Sequence, residues 1–307
     1  MRASGGRKRA AGLAQGELMI KTPSRNEFIA LLALLFATIA ISIDAMLPAL
    51  PQIALDLSPE DPNKAQLVIT SFVLGMGLGT LFAGPLSDAF GRKTTILAGF
   101  VLYILAALAC WAAPSLETLL IARVVQGIGA AAPRTVSIAM VRDMFKGREM
   151  AQIMSFAMMN FTLVPAVAPL MGQGVIALAG WQAIFAAYVA FALLVMGWFT
   201  LRQPETLPQE ARRPLSWHAL VAASAEVLSH RVVQISIAAQ ALTMGMLFAT
   251  LSSMEGIFSD LFGRGDSFPL WFGVIAMASM VGSILNARLV MRLGMRRMVT
   301  VTYGALL

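Results

Sequence analysis

Apolar residues run along this chain in long blocks separated by short polar stretches. The blocks fall at 28–50, 65–86, 94–113, 116–141, 150–179, 181–201, 232–257 and 268–291, and a ninth begins at Arg297 and runs to Leu307. A helix crossing a bilayer needs roughly 20 mostly apolar residues. Each block therefore predicts a membrane-spanning helix, numbered here as spans 1 to 9. The first 27 residues are basic and polar. They lack the apolar core and small-residue cleavage site of a signal peptide, so span 1 is expected to be retained. Met19 is an alternative start.

The polar punctuation is asymmetric. The N-terminal segment, the loops after spans 2, 4, 6 and 8 and the span ends beside them carry nineteen Lys and Arg, whereas the alternate loops carry only Lys64 and Arg264. Short basic loops stay on the cytoplasmic side. The N-terminus is therefore expected to be cytoplasmic, with Asp56, Glu60, Asp61, Asp260 and Asp266 facing outward.

A shift of 203 residues superposes the starts of spans 1, 2 and 3 on those of spans 7, 8 and 9, and lays Gly91-Arg92-Lys93 over Gly294-Met295-Arg296. Parallel halves of six spans joined by a longer linker are one transporter architecture. The expected organisation is a tail over 1–27, a six-helix bundle over 28–201, a cytoplasmic linker over 202–231 and an incomplete second bundle over 232–307. If the repeat is real, its second half closes near residue 404, roughly 97 residues past Leu307, and this chain is C-terminally truncated. A chance alignment of evenly spaced spans is the alternative.

Composition narrows the function. The 307 residues are 58% hydrophobic and 13% charged, against roughly 45–50% and about 25% in soluble domains. A disordered chain, a soluble enzyme and a nucleic-acid module are excluded; the net charge of +7 reads as an orientation signal. Cys110 is the single cysteine, and His218 and His230 lie between spans. No metal site or other cofactor is expected, and no paired carboxylates or nucleophile–base set suggests an enzyme.

Few ionisable residues lie inside the spans, where each is costly and needs a partner or a cavity. Asp44 lies six residues, ~9 Å, from the outer end of span 1; Arg123 lies seven residues, ~10 Å, from that of span 4. Their heights allow an interaction. A carboxylate whose partner changes distance between two conformations can carry a proton; a fixed ion pair that only orders the bundle is the alternative. Arg123, Gln126, Gly127, Ala130 and Arg134 share one face of span 4. Arg134 either lines the cavity or reaches toward the interface. Met46, Met158 and Met159 could line a plastic pocket. Gly75, Gly77 and Gly79 lie within an apolar span, out of context for a nucleotide loop, and predict a helix-packing surface.

Between spans 2 and 3 the chain reads Gly84-Pro-Leu-Ser-Asp88-Ala-Phe-Gly91-Arg92-Lys93. This resembles the G-x-L-x-D-x-x-G-R-K signature of the major facilitator superfamily. Ser42-x-Asp44-x-x-Leu47-Pro48-x-Leu50-Pro51 in span 1 and Arg123-x-x-Gln126-Gly127 in span 4 are similar to motifs of its twelve-span drug:proton antiporters, especially the bicyclomycin and chloramphenicol resistance branch. Pro165, Pro169, Gly172 and Gly174 in span 5 resemble the antiporter motif, with Gln173 where a glycine is usual. The resemblance implies an all-α membrane protein of the major facilitator fold, with a complete N-terminal and an incomplete C-terminal half. It further implies a monomer of the inner membrane that exports small drug-like molecules against protons, driven by the proton gradient alone. Asp44 and Arg123 would couple the proton. Gly84, Asp88, Gly91, Arg92 and Lys93 would form a conformational latch. A metabolite uniporter or symporter, and an inactive truncated fragment or scaffold, are the rivals.

Overall fold

The computed structural model describes residues 23–293, 300–301 and 304. All but three residues of the expected ninth span, from Arg297, and all but the last five residues of the expected tail lie outside the described residues. The described secondary structure is entirely helical: α1 Arg25–Asp44, α2 Leu50–Leu57, α3 Leu67–Phe90, α4 Arg92–Trp111, α5 Leu116–Met144, α6 Gly147–Ala179, α7 Ala183–Arg202, α8 Trp217–Ser229, α9 Arg231–Gly256 and α10 Phe268–Leu293. Six segments are long and apolar enough to cross a membrane: Arg25–Leu57, Pro62–Phe90, Arg92–Trp111, Leu116–Met144, Ala183–Arg202 and Arg231–Ser259. The helices α6 and α10 contain shorter apolar stretches, Leu163–Ala179 and Phe268–Ser279.

Span 1 differs from its expected form. It is broken at Asp44, passes through a 3-10 turn over Leu47–Ala49, and resumes as α2 to Leu57. Pro48 and Pro51 are the physical cause, since neither can donate the N–H that would bind the carbonyl four residues earlier. The break moves Asp44 from near one end of the span to its middle, thirteen residues before Leu57. The prolines of α6 act differently: Pro165 and Pro169 are accommodated inside one continuous helix.

Local chemistry sets the other boundaries. Ser24 caps α1 by accepting the Glu27 N–H. Ser115 and Thr118 form a reciprocal capping box at the start of α5, satisfying donors that a helix start leaves open. A single residue, Gly91, joins α3 to α4 with φ of 101°, a backbone conformation that favours glycine.

Missing side chains let the bundle pack tightly. A Cβ on Gly75 of α3 would strike the Val124 carbonyl of α5, and one on Gly127 of α5 would strike the Phe72 carbonyl of α3. Gly79 faces Ile128 and Ala131 equally closely, while Gly77 meets nothing within 4 Å. The packing surface of span 2 thus uses two of its three glycines. Between apolar helices in a membrane, such small-residue contacts supply the close approach that association needs. On α6, Gly172 lies against the Ala45 carbonyl, directly beneath the break in span 1. Gly174 meets nothing within 4 Å.

Gly75→Ala is expected to destabilise the bundle by about 1–3 kcal/mol through overpacking, while Gly77→Ala is neutral. Thermal unfolding of the purified protein in detergent checks both.

Candidate functional site

Arg123 sits at the centre of the bundle, fully buried. Its guanidinium is held from three directions: Nε donates to the Val68 carbonyl at 3.1 Å, Nη1 to Gln126 Oε1 at 2.7 Å and Nη2 to the Ser42 carbonyl at 3.0 Å. The Phe72 ring covers it, with its centroid 4.4 Å from Cζ. A cation over an aromatic face gains further when desolvated. The expected direct pairing with Asp44 is absent: among the described residues Arg123 forms no ion pair, and its charge is offset by carbonyl dipoles and a ring. The break in span 1 explains the difference. Arg123 takes the carbonyl two residues before Asp44 rather than the carboxylate.

Ser42 is the hub of this cluster. Its carbonyl also accepts the Tyr188 hydroxyl of α7 at 3.3 Å, and its Oγ shares a hydrogen bond with the Tyr103 hydroxyl of α4 at 2.6 Å. Four helices, α1, α4, α5 and α7, therefore meet at one residue. Asp44, at the end of α1, is buried, and no partner within hydrogen-bond distance is found for its carboxyl among the described residues. Near Arg123, Gln126 keeps its amide nitrogen buried and without a partner among the described residues.

Span 1 is clamped at three levels to α7 and the turn just before it. Trp181 Nε1 donates to Asp56 at 2.7 Å; Tyr188 donates to Ser42 in the middle; Trp198 and Arg202 both bond Glu27, the Arg202 Nη2 contact being 2.7 Å. The broken span is held against a continuous helix along its length.

The loop after α3 forms a second polar centre. Arg92 Nη1 bonds Asp88 and Ser87, and its Nε donates to Asp143 at the end of α5 at 3.0 Å. The segment after α7 closes over this loop. Glu205 accepts the backbone N–H of Arg92 at 2.9 Å and of Lys93 at 3.1 Å, as well as those of Thr206 and Leu207. It supplies the acceptors that the first turn of α4 lacks. Lys93 Nζ reaches the Thr200 carbonyl, and the Arg213 N–H bonds the Asp88 carbonyl. A side chain on Gly91 would collide with Glu205. Gly84 meets nothing within 4 Å.

The other expected cavity residues separate. Met46 is fully buried in the core rather than lining an open pocket, because the 3-10 turn folds it inward. The side chains of Met158 and Met159 lie outside the described residues. Arg134 is exposed, unlike Arg123, Gln126, Gly127 and Ala130 on the same stripe. It lines a cavity of about 550 Å³ between α3, α5 and α9. Asp143 and Glu205 were missed in the sequence. The turn-and-acid pattern of Pro204-Glu205-Thr206 directly after span 6 was the available signal for Glu205; nothing local marks Asp143.

A bundle of long apolar helices, one of them broken, around a buried cation is the architecture of a multi-pass membrane protein. The chain belongs to the Major Facilitator Superfamily, whose profile matches residues 31–307. It is 35% identical to the uncharacterized MFS-type transporter YdgK of Bacillus subtilis over 88% of this chain and 68% of that one. It is 31% identical to a bicyclomycin resistance protein homolog of Haemophilus influenzae (89% and 69%) and 29% identical to a chloramphenicol resistance protein of Pseudomonas aeruginosa (87% and 63%). The chain thus spans about two-thirds of the length of these relatives. Its fold matches a D-xylose-proton symporter with a TM-score of 0.63 at 14% identity, over 86% of this chain and 69% of that one. Members of the family move small molecules across membranes and are transporters, not enzymes.

Glu205→Ala is expected to lower stability by about 1 kcal/mol, the usual worth of a helix N-terminal acceptor, whereas exposed Glu210→Ala is neutral. Thermal unfolding in detergent measures both.

Proposed function

We propose that this protein exports drug-like small molecules across the inner membrane in exchange for protons, by alternating access and as a monomer. Its N-terminus lies on the cytoplasmic side, a reading supported by the nineteen-to-two distribution of basic residues. The names of the bicyclomycin and chloramphenicol resistance relatives support export of toxic compounds.

The observation that carries the coupling reading is Asp44. It is buried in mid-span at a helix break, two residues from a carbonyl bound by a buried arginine, and has no hydrogen-bond partner of its own among the described residues. A carboxyl in that setting can exchange a proton without breaking a structural bond. Discontinuous helices at mid-membrane are where transporters of this architecture bind substrates and coupling ions. Loading or unloading Asp44 changes the charge beside Arg123. A cycle runs if the two conformations favour different charge states. The loop around Asp88, Gly91, Arg92 and Lys93 acts in this cycle as the latch, with Asp143 and Glu205 holding Arg92 and the start of α4 in place. Pro165, Pro169 and Gly172 let α6 follow the break in span 1.

Asp44→Asn is expected to abolish drug extrusion driven by a proton gradient in everted membrane vesicles while the variant still inserts and binds substrate. Extrusion at the wild-type rate contradicts the coupling role. Uptake in the direction of the gradient by the unaltered protein contradicts the antiporter reading in favour of a symporter.

A further inference from the structure

Arg134 has no role in the coupling cluster or the latch. It lies on α5 ten residues, ~15 Å, before the helix ends at Met144, and eighteen residues after its start. Its side chain is exposed within the bundle's groove, and its guanidinium has neither a hydrogen-bond nor an ion-pair partner among the described residues. Arg123 on the same helix is the contrast, with three acceptors and a ring. A cation inside a membrane-spanning segment is costly and calls for a counter-charge.

None of the described residues supplies one within ion-pair distance. The acids of the helices around the groove lie toward their ends. Asp88 and Asp143 are both bonded to Arg92, and Asp143 is nine residues from Arg134 along α5. Glu117 lies in the first turn of α5, and the side chain of Glu255, at the far end of α9, is outside the described residues. The groove itself is lined by Val73, Met76, Met244 and Phe248, with Thr70 and Gln240 as its neutral polar members. Its volume of about 550 Å³ lies in the range of small-molecule sites, roughly 300–1,000 Å³. A second cavity of about 560 Å³, lined among others by Asn26, Ile29, Leu34 and Phe156, has no ionisable residue among its described lining.

We propose that this groove is a substrate subsite for anionic aromatic amphiphiles, with Arg134 as the counter-ion. The carboxylate or other acidic oxygen of the substrate pairs with the guanidinium. Its ring packs among Met76, Met244 and Phe248, where soft thioethers and an aromatic face accept varied shapes. Gln240 offers an amide donor to a second oxygen. Lipophilic cations are disfavoured, because the one described charge lining the groove is positive. The proposal names the substrate class for the export reading above and rests on it; its test reads equilibrium binding, which needs no proton gradient.

The protein in phosphatidylcholine nanodiscs is titrated with three probes sharing one ring system: 2-naphthoate, 2-naphthylmethanol and (2-naphthylmethyl)trimethylammonium. Zwitterionic lipid removes competition from anionic headgroups. Naphthoate is expected to bind about tenfold more tightly than the alcohol, and the ammonium more weakly than either. Arg134→Gln brings naphthoate down to the alcohol's affinity and leaves the alcohol unchanged. Gln240→Glu, which places an acid in the groove lined by Arg134, has the same effect by an independent route. Asp44→Asn keeps the preference. Equal binding of the ammonium and the carboxylate, or an unchanged preference in both groove variants, overturns the proposal. Unchanged gradient-driven export by Asp44→Asn overturns the coupling reading while leaving the subsite standing.

Discussion

A buried guanidinium with no counter-ion among the described residues governs this structure. Desolvating a cation costs several kcal/mol even after relaxation, and Arg123 is fully buried. The cost is offset by oriented dipoles: the Val68 and Ser42 carbonyls, the Gln126 amide oxygen and the Phe72 face. These four groups come from three helices. Val68 and Phe72 come from α3, Ser42 from α1 and Gln126 from α5 itself. The requirement to satisfy one side chain therefore specifies how three helices meet. The glycines at Gly75, Gly79 and Gly127 make that meeting sterically possible, since they bring α3 and α5 to backbone contact.

The same constraint accounts for the form of span 1. A carbonyl in the middle of a helix is normally engaged with an N–H four residues on. Pro48 and Pro51 remove the donors that would engage the Asp44 and Leu47 carbonyls, and where the chain tightens toward the Leu47–Ala49 turn the Met46 N–H goes to the Ile43 carbonyl, leaving that of Ser42 to Arg123 and Tyr188. The broken span does not hang loose. Trp181, Tyr188, Trp198 and Arg202 on one side and Gly172 on the other hold both of its halves. The break is thus held from both sides by its neighbours. At the far end of α3, the Arg92–Asp88–Asp143 cluster and the Glu205 cap tie the loop to the segment that follows α7.

Most of the helical architecture was legible in the sequence because membrane spans announce themselves by length and apolarity. The starts of α3, α4, α5, α6 and α7 fall within three residues of the expected ones. Arg123 and Asp44 stood out for the same reason: charge is conspicuous in apolar runs. Their relation to each other was not legible. Height along two helices is readable from residue counts, but the rotation and break that send Arg123 to a backbone carbonyl are tertiary. Backbone acceptors carry no sequence signature at all. The docking of Glu205 was likewise invisible, since its partners are main-chain N–H groups more than a hundred residues away. The helix α8 lay within what the sequence marked only as a linker. Met46 shows the reverse error, in which a residue type suited to a pocket is consumed by the core.

The central claim is that carbonyl dipoles, not Asp44, hold Arg123. The thermal stability of Asp44→Asn tests it most directly. Removing one partner of a buried ion pair costs about 3–5 kcal/mol, because the other charge is left uncompensated. With Arg123 bound as described, the variant unfolds at the wild-type midpoint or above it. A loss of stability on the scale of a broken buried ion pair would show that Asp44 neutralises Arg123 and would contradict this account.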